Sequence, residues 1–370
     1  MKIGFGLIVK DEAHVIERCL NSVKEFIDYV YISDTGSSDN TIEVITNWLT
    51  KNNIPGKVVT HKWKNFAENR SIVLKELTAL NCVDYILMID ADEVLTFKED
   101  PKQIKKTLTA DLYDITTVFP DCTYVRPQLT TTRLPFYYKA VVHEYLESDV
   151  PWNTRQTLSG VTNTPIQDSS RNKKGDKSKK DILVLENILK TEKDPFLITR
   201  YTFYLARTYS ENKDYKNALK YFQNRAILGG WNEEVYVSLL EIGKLRELLN
   251  YKAEKILAPW YKAFELIPDR LDAIYEIVKY CRIHKRFQEG YHIGKAGYGL
   301  TLKKESLFSN PEIFRFNFMD ECAINAYWVG KYEESLDIYK KLFEHNRIPD
   351  SQINRVVENM LYANQKLYRL

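Results

Sequence analysis

The sequence predicts an α/β domain with a mixed, mostly parallel sheet flanked by helices, followed by an all-α domain of helical repeats. Three observations predict it. Apolar strand-like runs alternate with segments of helical period from Ile3 to Ile89, the pattern of a parallel sheet covered by helices. Three of those runs end in polar clusters: Lys10-Asp11-Glu12, Asp34 to Asp39, and Asp90 to Glu93. From Asp181 onward only helical spacing is readable. The expected division is therefore 1–180 and 181–370.

Taken in order, Ile3 to Val9 is a continuous apolar run suited to a central strand buried on both faces. Its Gly4 and Gly6 do not make a dinucleotide fingerprint, because Val9 stands where a third glycine is needed and both glycines lie inside the strand. Glu12 to Phe26 carries a helical stripe of Val15, Ile16, Cys19, Leu20 and Val23. Tyr29 to Ser33 is a second strand, ending in the polar turn Asp34 to Thr41, and Ile42, Val44, Ile45, Trp48 and Leu49 return to helical spacing. Lys57 to Thr60 is a third strand, Glu68 to Leu80 a helix, and Asp84 to Ile89 a fourth strand.

That fourth strand runs into Asp90, Asp92 and Glu93. Asp90 and Asp92 are two apart, so on extended chain they share a face. Carboxylates converging on one crevice repel unless a hard cation lies between them, and Mg²⁺ takes one or two carboxylates plus substrate phosphates. Acids at a strand end also simply face water. Three such ends in a parallel series, however, mark the carboxyl edge where open α/β sheets bind ligands.

Beyond Val94 the alternation weakens. Thr107 to Phe119 and Thr123 to Thr132 read as strands, and Tyr137 to Tyr145 as an aromatic strand closing on His143-Glu144. No second histidine completes a zinc pattern there. Residues 168–180 are polar and strongly basic, either a linker or a cationic loop able to close over phosphates.

In the C-terminal half, Leu205-Ala206, Tyr209, Tyr215, Ala218 and Phe222 recur as Cys322-Ala323, Ala326, Tyr332, Ser335 and Tyr339. This is the large/small spacing of a tetratricopeptide helix hairpin, and Ala263 and Pro268 hint at a further copy. Such arrays offer a groove for partners, and a homodimer through this domain is expected.

The chain has 370 residues, 44% of them hydrophobic, enough for two domains. A net charge of +3 gives no global case for nucleic acid as partner. Five scattered cysteines match neither a zinc site nor a disulfide framework, and Cys19 and Cys82 read as buried thiols. No apolar run reaches transmembrane length, so a cytoplasmic location is expected.

Four blocks in order resemble family-2 inverting glycosyltransferases of the GT-A fold: Ile8 to Glu12, Ser33 to Thr41, Phe66 to Arg70, and Asp90 to Glu93. Val142-His143-Glu144 and Gly229 to Val235 look like blocks of the subset with tetratricopeptide-like C-terminal domains. The resemblance implies a transferase using a nucleoside diphosphate sugar, with UDP-sugars favoured, Mn²⁺ or Mg²⁺ as cofactor, and a glycan, protein or lipid acceptor. It implies that Asp34 contacts the nucleotide base, with Asp11 or Glu12 at the base or ribose and Lys10 and Ser37 in the same loops. Arg70 would approach the diphosphate, and Asp90, Ala91 and Asp92 would meet the donor sugar and the metal. Relatives often carry a histidine ligand near Gln167-Asp168, where this chain offers Asp168. Glu144 and His143 are the candidate bases for the acceptor hydroxyl, with Asp121 behind them. Two rivals stand beside this reading. A catalytically inactive scaffold would use only its repeats to bind a protein partner. A nucleotidyltransferase would need a glycine-rich, lysine-bearing loop after the first strand, which is missing.

Overall fold

The computed structural model describes residues 1–119, 123–170, 177–300 and 307–368. It divides into two compact units, Met1–Glu192 and Lys193–Leu370, so the first unit runs past the boundary read at residue 180.

The first unit is a mixed sheet with helices on its faces. Its strands are β1 (Ile3–Val9), β2 (Tyr29–Asp34), β3 (Gly56–Thr60), β4 (Tyr85–Met88), β5 (Glu93–Phe97), β6 (Leu112–Val118), β7 (Thr123–Thr131) and β10 (Arg155–Pro165). They lie in the order β3-β2-β1-β4-β7-β6-β10-β5. The pairs from β3 to β4 are parallel, as is β6 with β10, while β4/β7, β6/β7 and β10/β5 are antiparallel. The helices are α1 (Ile16–Val23), α2 (Thr41–Asn52), α3 (Phe66–Ala79), α4 (Pro101–Lys106) and, near the end of the unit, α5 (Lys177–Leu189).

β1 lies in the middle of the parallel half, and both of its faces are buried. Ile3, Phe5, Leu7 and Val9 enter one cluster with Ile16, Cys19, Leu20 and Val23 of α1. Its other face carries glycines because α3 passes close by. A Cβ on Gly6 would overlap Met88 Sδ and stand 2.7 Å from Val73 Cγ1. Gly6 thus serves close packing and not phosphate binding. α3 opens on a reciprocal cap, with Asn65 Oδ1 accepting from the Glu68 backbone N–H at 2.8 Å.

Several expectations are corrected. α1 begins at Ile16, because Glu12 to Val15 form a turn in which the Glu12 carbonyl accepts from Val15 and Ile16. β6 begins at Leu112, after α4, whose start is capped by Asp100 ahead of Pro101. Tyr137 to Tyr145 is not one strand. β8 (Phe136–Lys139) and β9 (Tyr145–Ser148) pair antiparallel as a hairpin. Ala140 and His143 turn the chain between them with φ of 84° and 54°, a backbone region that normally calls for glycine or asparagine. Cys19 is buried as expected, but Cys82 is exposed.

The second unit is helical. Among the described residues it comprises α6 (Pro195–Glu211), α7 (Tyr215–Leu228), α8 (Asn232–Leu248), α9 (Ala253–Leu266), α10 (Leu271–Ile283), α11 (Phe287–Ala296), α12 (Phe318–Trp328), α13 (Tyr332–Glu344) and α14 (Ile353–Tyr368). A π-helical turn, Ile313–Asn317, leads into α12. Successive helices pack as tetratricopeptide-like hairpins. Of the repeated residues read from the sequence, Leu205, Ala206, Tyr209, Ala218 and Phe222 and their counterparts Cys322, Ala323, Ala326, Ser335 and Tyr339 are buried, whereas the matched Tyr215 and Tyr332 are half-buried. No helix among the described residues is long and apolar enough to cross a membrane.

Candidate active site

From β1 the chain steps outward to β2 and β3, then returns to the other side of β1 as β4. The crevice beyond the carboxyl ends of β1 and β4 is therefore the sheet's topological switch point, where such folds bind ligands. Glu12 follows β1 and Asp90 to Asp92 follow β4, so the sheet itself delivers these acids to one place.

Backbone-to-side-chain hydrogen bonds lace the loops after β1 and β2 together. Asp11, with φ of 57°, donates its N–H to Ser37 Oγ at 2.9 Å, and its Oδ1 accepts from the Ser38 N–H at 2.7 Å. The Glu12 N–H donates to Thr41 Oγ1 at 2.8 Å. Asp34 is buried and caps its own loop, with Oδ1 accepting from the Gly36 and Ser37 N–H groups at 2.9 and 3.0 Å. Gly36 is required there, at φ 103°. Lys10 is exposed at the rim.

The acids after β4 divide by role. Glu93 is buried and holds the turn: its Oε2 accepts from the Asp90 N–H at 3.0 Å and from Asn163 Nδ2 at 2.9 Å, and its Oε1 pairs with Arg126. Burial and the neighbouring Asp90 push the Glu93 carboxyl up against the pull of Arg126. Ala91 is packed into the apolar core, so it meets a ligand only through its backbone. Asp90 faces Arg70, with Nη2 donating to Oδ1. Burial alone would raise the Asp90 carboxyl, but Arg70 and Arg126 overcome it and hold it below its usual range, with Lys177 adding to the same field. Asp92 Oδ2 accepts from the Ser169 N–H at 3.3 Å.

Arg70 joins the two sides of the site. It reaches from α3 to Asp90, and its Nε stands 2.8 Å from Glu144 Oε1 in the β8–β9 turn. The second contact is an ion pair without alignment: Nε is buried and makes no hydrogen bond. A buried guanidinium with an unused donor suits an added anion. Of the base candidates, Glu144 is thus brought to the site by Arg70 and His143 is exposed beside it. Asp121 lies outside the described residues.

The segment after β10 also reaches the acids. The Ser170 N–H stands 3.3 Å from both Glu12 carboxylate oxygens. Burial, together with the charges of Asp92, Asp39 and Asp90, outweighs that hydrogen bond and lifts the Glu12 carboxyl to about 7. Asp168 points elsewhere: both its oxygens accept from Arg18, at 2.7 and 2.9 Å. In this arrangement Arg18 neutralises Asp168, which weakens the parallel with a histidine ligand. Among the described residues no group of three or more His, Cys, Asp or Glu side chains is placed to hold a metal. Asp92 with Asp90 fits a cation that completes its shell on substrate phosphates, and not an all-protein cage.

Arg18, Arg126, Tyr138 and Lys177 were not legible as site residues. Arg126 sits mid-strand in β7, and Tyr138, under Arg70 at 5.7 Å, reads from sequence as an ordinary strand aromatic. Only Lys177 had a signal, its membership of the basic run.

Fold and site together define a GT-A domain. Residues 6–165 match the family described as Glycosyl transferase family 2. It is similar to an uncharacterized glycosyltransferase of Rickettsia felis, 35% identical over 95 residues, or 26% of this chain and 30% of that one. It is also similar to the SPbeta prophage-derived glycosyltransferase SunS of Bacillus subtilis, 33% identical over 106 residues, or 28% and 23% of the two chains. A TPR repeat-containing protein of Synechococcus elongatus is 34% identical over 94 residues, 25% of this chain and 21% of that protein. The matched stretches span less than a third of these relatives' own length. Among solved structures, S. aureus TarS 1-349 in complex with UDP-GlcNAc aligns over 72% of this chain and 91% of its own at 15% identity, with a TM-score of 0.39.

Proposed function

We propose that the first unit catalyses inverting transfer of a sugar from a nucleoside diphosphate sugar, with UDP-sugars favoured, to a hydroxyl on a glycan, protein or lipid acceptor. The reading rests above all on the switch-point crevice. It sets Glu12, Asp90 and Asp92 beside a buried Arg70 whose Nε has no hydrogen-bond partner. Glu12 and Asp92 crowd the same crevice, and Arg70, although paired with Asp90 and Glu144, keeps a buried Nε without a hydrogen bond, so a divalent cation with a diphosphate would relieve the acids and give that donor an acceptor.

In this reading the loops after β1 and β2, with Asp11, Ser37 and Asp34, seat the nucleoside. Arg70 and Lys177 face the diphosphate, where charge grows as the sugar leaves, and fixed cations there stabilise the transition state. Asp92, with Asp90 beside it, would hold Mn²⁺ or Mg²⁺, which when bound would supply Lewis-acid neutralisation of the leaving group. Glu144, fixed in place by Arg70 and flanked by His143, takes the proton of the acceptor hydroxyl. Cytoplasmic location and assembly of two copies through the helical unit belong to the same reading.

The test measures donor hydrolysis and transfer across UDP-, GDP- and dTDP-sugars with Mn²⁺, in the native chain and in Asp92→Ala. The native chain is expected to turn over a UDP-sugar, and the variant to lose at least about 100-fold, the scale of deleting one contact to developing charge. Unchanged transfer and unchanged Mn²⁺-dependent UDP binding in Asp92→Ala would sink the proposal. Absence of metal-dependent donor hydrolysis in the native chain would favour the scaffold reading instead.

A further inference from the structure

The loop after β3 also reaches the donor crevice. β1, β2 and β3 are parallel, with Val9 beside Asp34 and Asp34 beside Thr60, so all three following loops leave the sheet at one edge. The His61 N–H donates to the Asp34 carbonyl at 2.8 Å, and the His61 Nδ1 shares a 3.0 Å hydrogen bond with Ser33 Oγ. The third loop therefore starts against the residue that caps the second.

One side chain fixes its course from there. Lys62, Trp63 and Lys64 are exposed, and their backbone is held by Asn69 of α3, which is fully buried. Asn69 Oδ1 accepts from the Lys64 N–H at 2.9 Å, and its Nδ2 donates to the Lys62 carbonyl at 3.2 Å. Trp63, clamped on both sides, meets Phe66 edge to face with ring centroids 4.8 Å apart. Phe66 and Arg70 are four apart on α3 and so share a face of the helix. Arg70 looks onto Asp90, and the same face carries Phe66 and the Trp63 ring toward the mouth of the crevice. An indole left 42% exposed on a backbone fixed by a buried amide is rigid surface, not core.

We propose that Trp63 is the stacking wall for the base of the nucleoside diphosphate, and that Asn69 is the residue that positions it. The inference rests on the transferase reading. Such a donor has one aromatic part, its base, and every base offers a π-face to an aromatic side chain. The ring stands between the Asp34 strand end, which its own loop contacts, and Arg70, one helical turn away. A diphosphate on Arg70 with its nucleoside on the Asp34 loop passes Trp63. Stacking reads the flat of a ring and not its edge, so Trp63 sets affinity for the nucleoside, and the choice of base stays with the polar loops.

The experiment titrates the full chain with UDP and with inorganic pyrophosphate, each with Mn²⁺, by calorimetry. Trp63→Ala is expected to weaken UDP at least about 10-fold and to leave pyrophosphate unchanged, while Trp63→Phe keeps most of the UDP affinity. UDP is also expected to quench the tryptophan emission of the parent more than that of Trp63→Ala. Asn69→Ala, which frees the loop, is expected to reproduce the loss for UDP. If that buried substitution fails to fold, the exposed Trp63 still decides the case. Unchanged UDP affinity in Trp63→Ala overturns the proposal, as does an equal loss for UDP and pyrophosphate, or a loss seen with a UDP-sugar but not with UDP. A parent chain that binds none of UDP, GDP and dTDP would instead remove the transferase reading, and this inference with it.

Discussion

Asp92 and Glu93 are neighbours in sequence with opposite tasks. Glu93 is enclosed by Arg126, Gln128, Asn163 and the Asp90 N–H, and these contacts make it the scaffold of the turn. Asp92 accepts from the Ser169 N–H, on the side where Glu12 also lies. The sequence shows three acids past a strand, and only β5, which starts at Glu93, says which of them turns inward. Glu12 is buried close to three other acids, Asp92, Asp39 and Asp90. Its folded pKa of about 7 lies well above the ordinary glutamate value of about 4.5, so the fold favours the protonated form. Stability from this group is therefore fully present below the unfolded pKa and is lost as pH rises through 7, by at most about 3 kcal/mol. Glu12→Gln is expected to be more stable than the parent at about pH 8 and less sensitive to pH above about pH 5. Denaturant midpoints without nucleotide or divalent metal measure this, and identical pH slopes in the two proteins would refute it.

β1, β2 and β4 were legible because each is a short apolar run bounded by polar residues, and burial on both faces leaves no polar alternation to confuse the reading; β3, an exposed edge strand, showed itself only through Val58 and Val59. The β8–β9 hairpin was not, since Tyr137 to Tyr145 is rich in residues that favour strands and its turn uses Ala140 and His143, with neither glycine nor proline to mark it. That hairpin sets the distance from Arg70 to Glu144, so a contact of the candidate site stayed hidden with it. The glycines of β1 teach the same lesson from the other side. They resemble part of a nucleotide motif, and packing against α3 accounts for them. Gly6→Ala is expected to destabilise the first unit by about 1–3 kcal/mol, because Val73 is branched and packed and cannot withdraw as the end of Met88 can. Chemical denaturation reads this directly, and a variant as stable as the parent would mean that α3 does not press on β1 as described.

Each unit holds its own apolar interior. The clusters around Phe5 and Leu87 and around Val73 and Met88 belong to the first, and those around Trp260 and around Phe316 and Tyr339 to the second. Domains with separate cores unfold as separate cooperative steps unless a large apolar interface couples them. The proposed donor site lies wholly in the first unit, so UDP with Mn²⁺ should stabilise that unit alone, by about 2.7 kcal/mol at a hundredfold excess over Kd. Calorimetry of the full chain is expected to resolve two transitions, one raised by UDP and Mn²⁺ and the other unmoved. Trp260→Ala, which empties a fully buried site in the second unit, is expected to lower only the unmoved transition, by a loss on the order of 3–5 kcal/mol. A single transition that responds to both ligand and substitution would show instead that the two cores fold as one, and that ligand binding at the sheet edge is felt throughout the repeats.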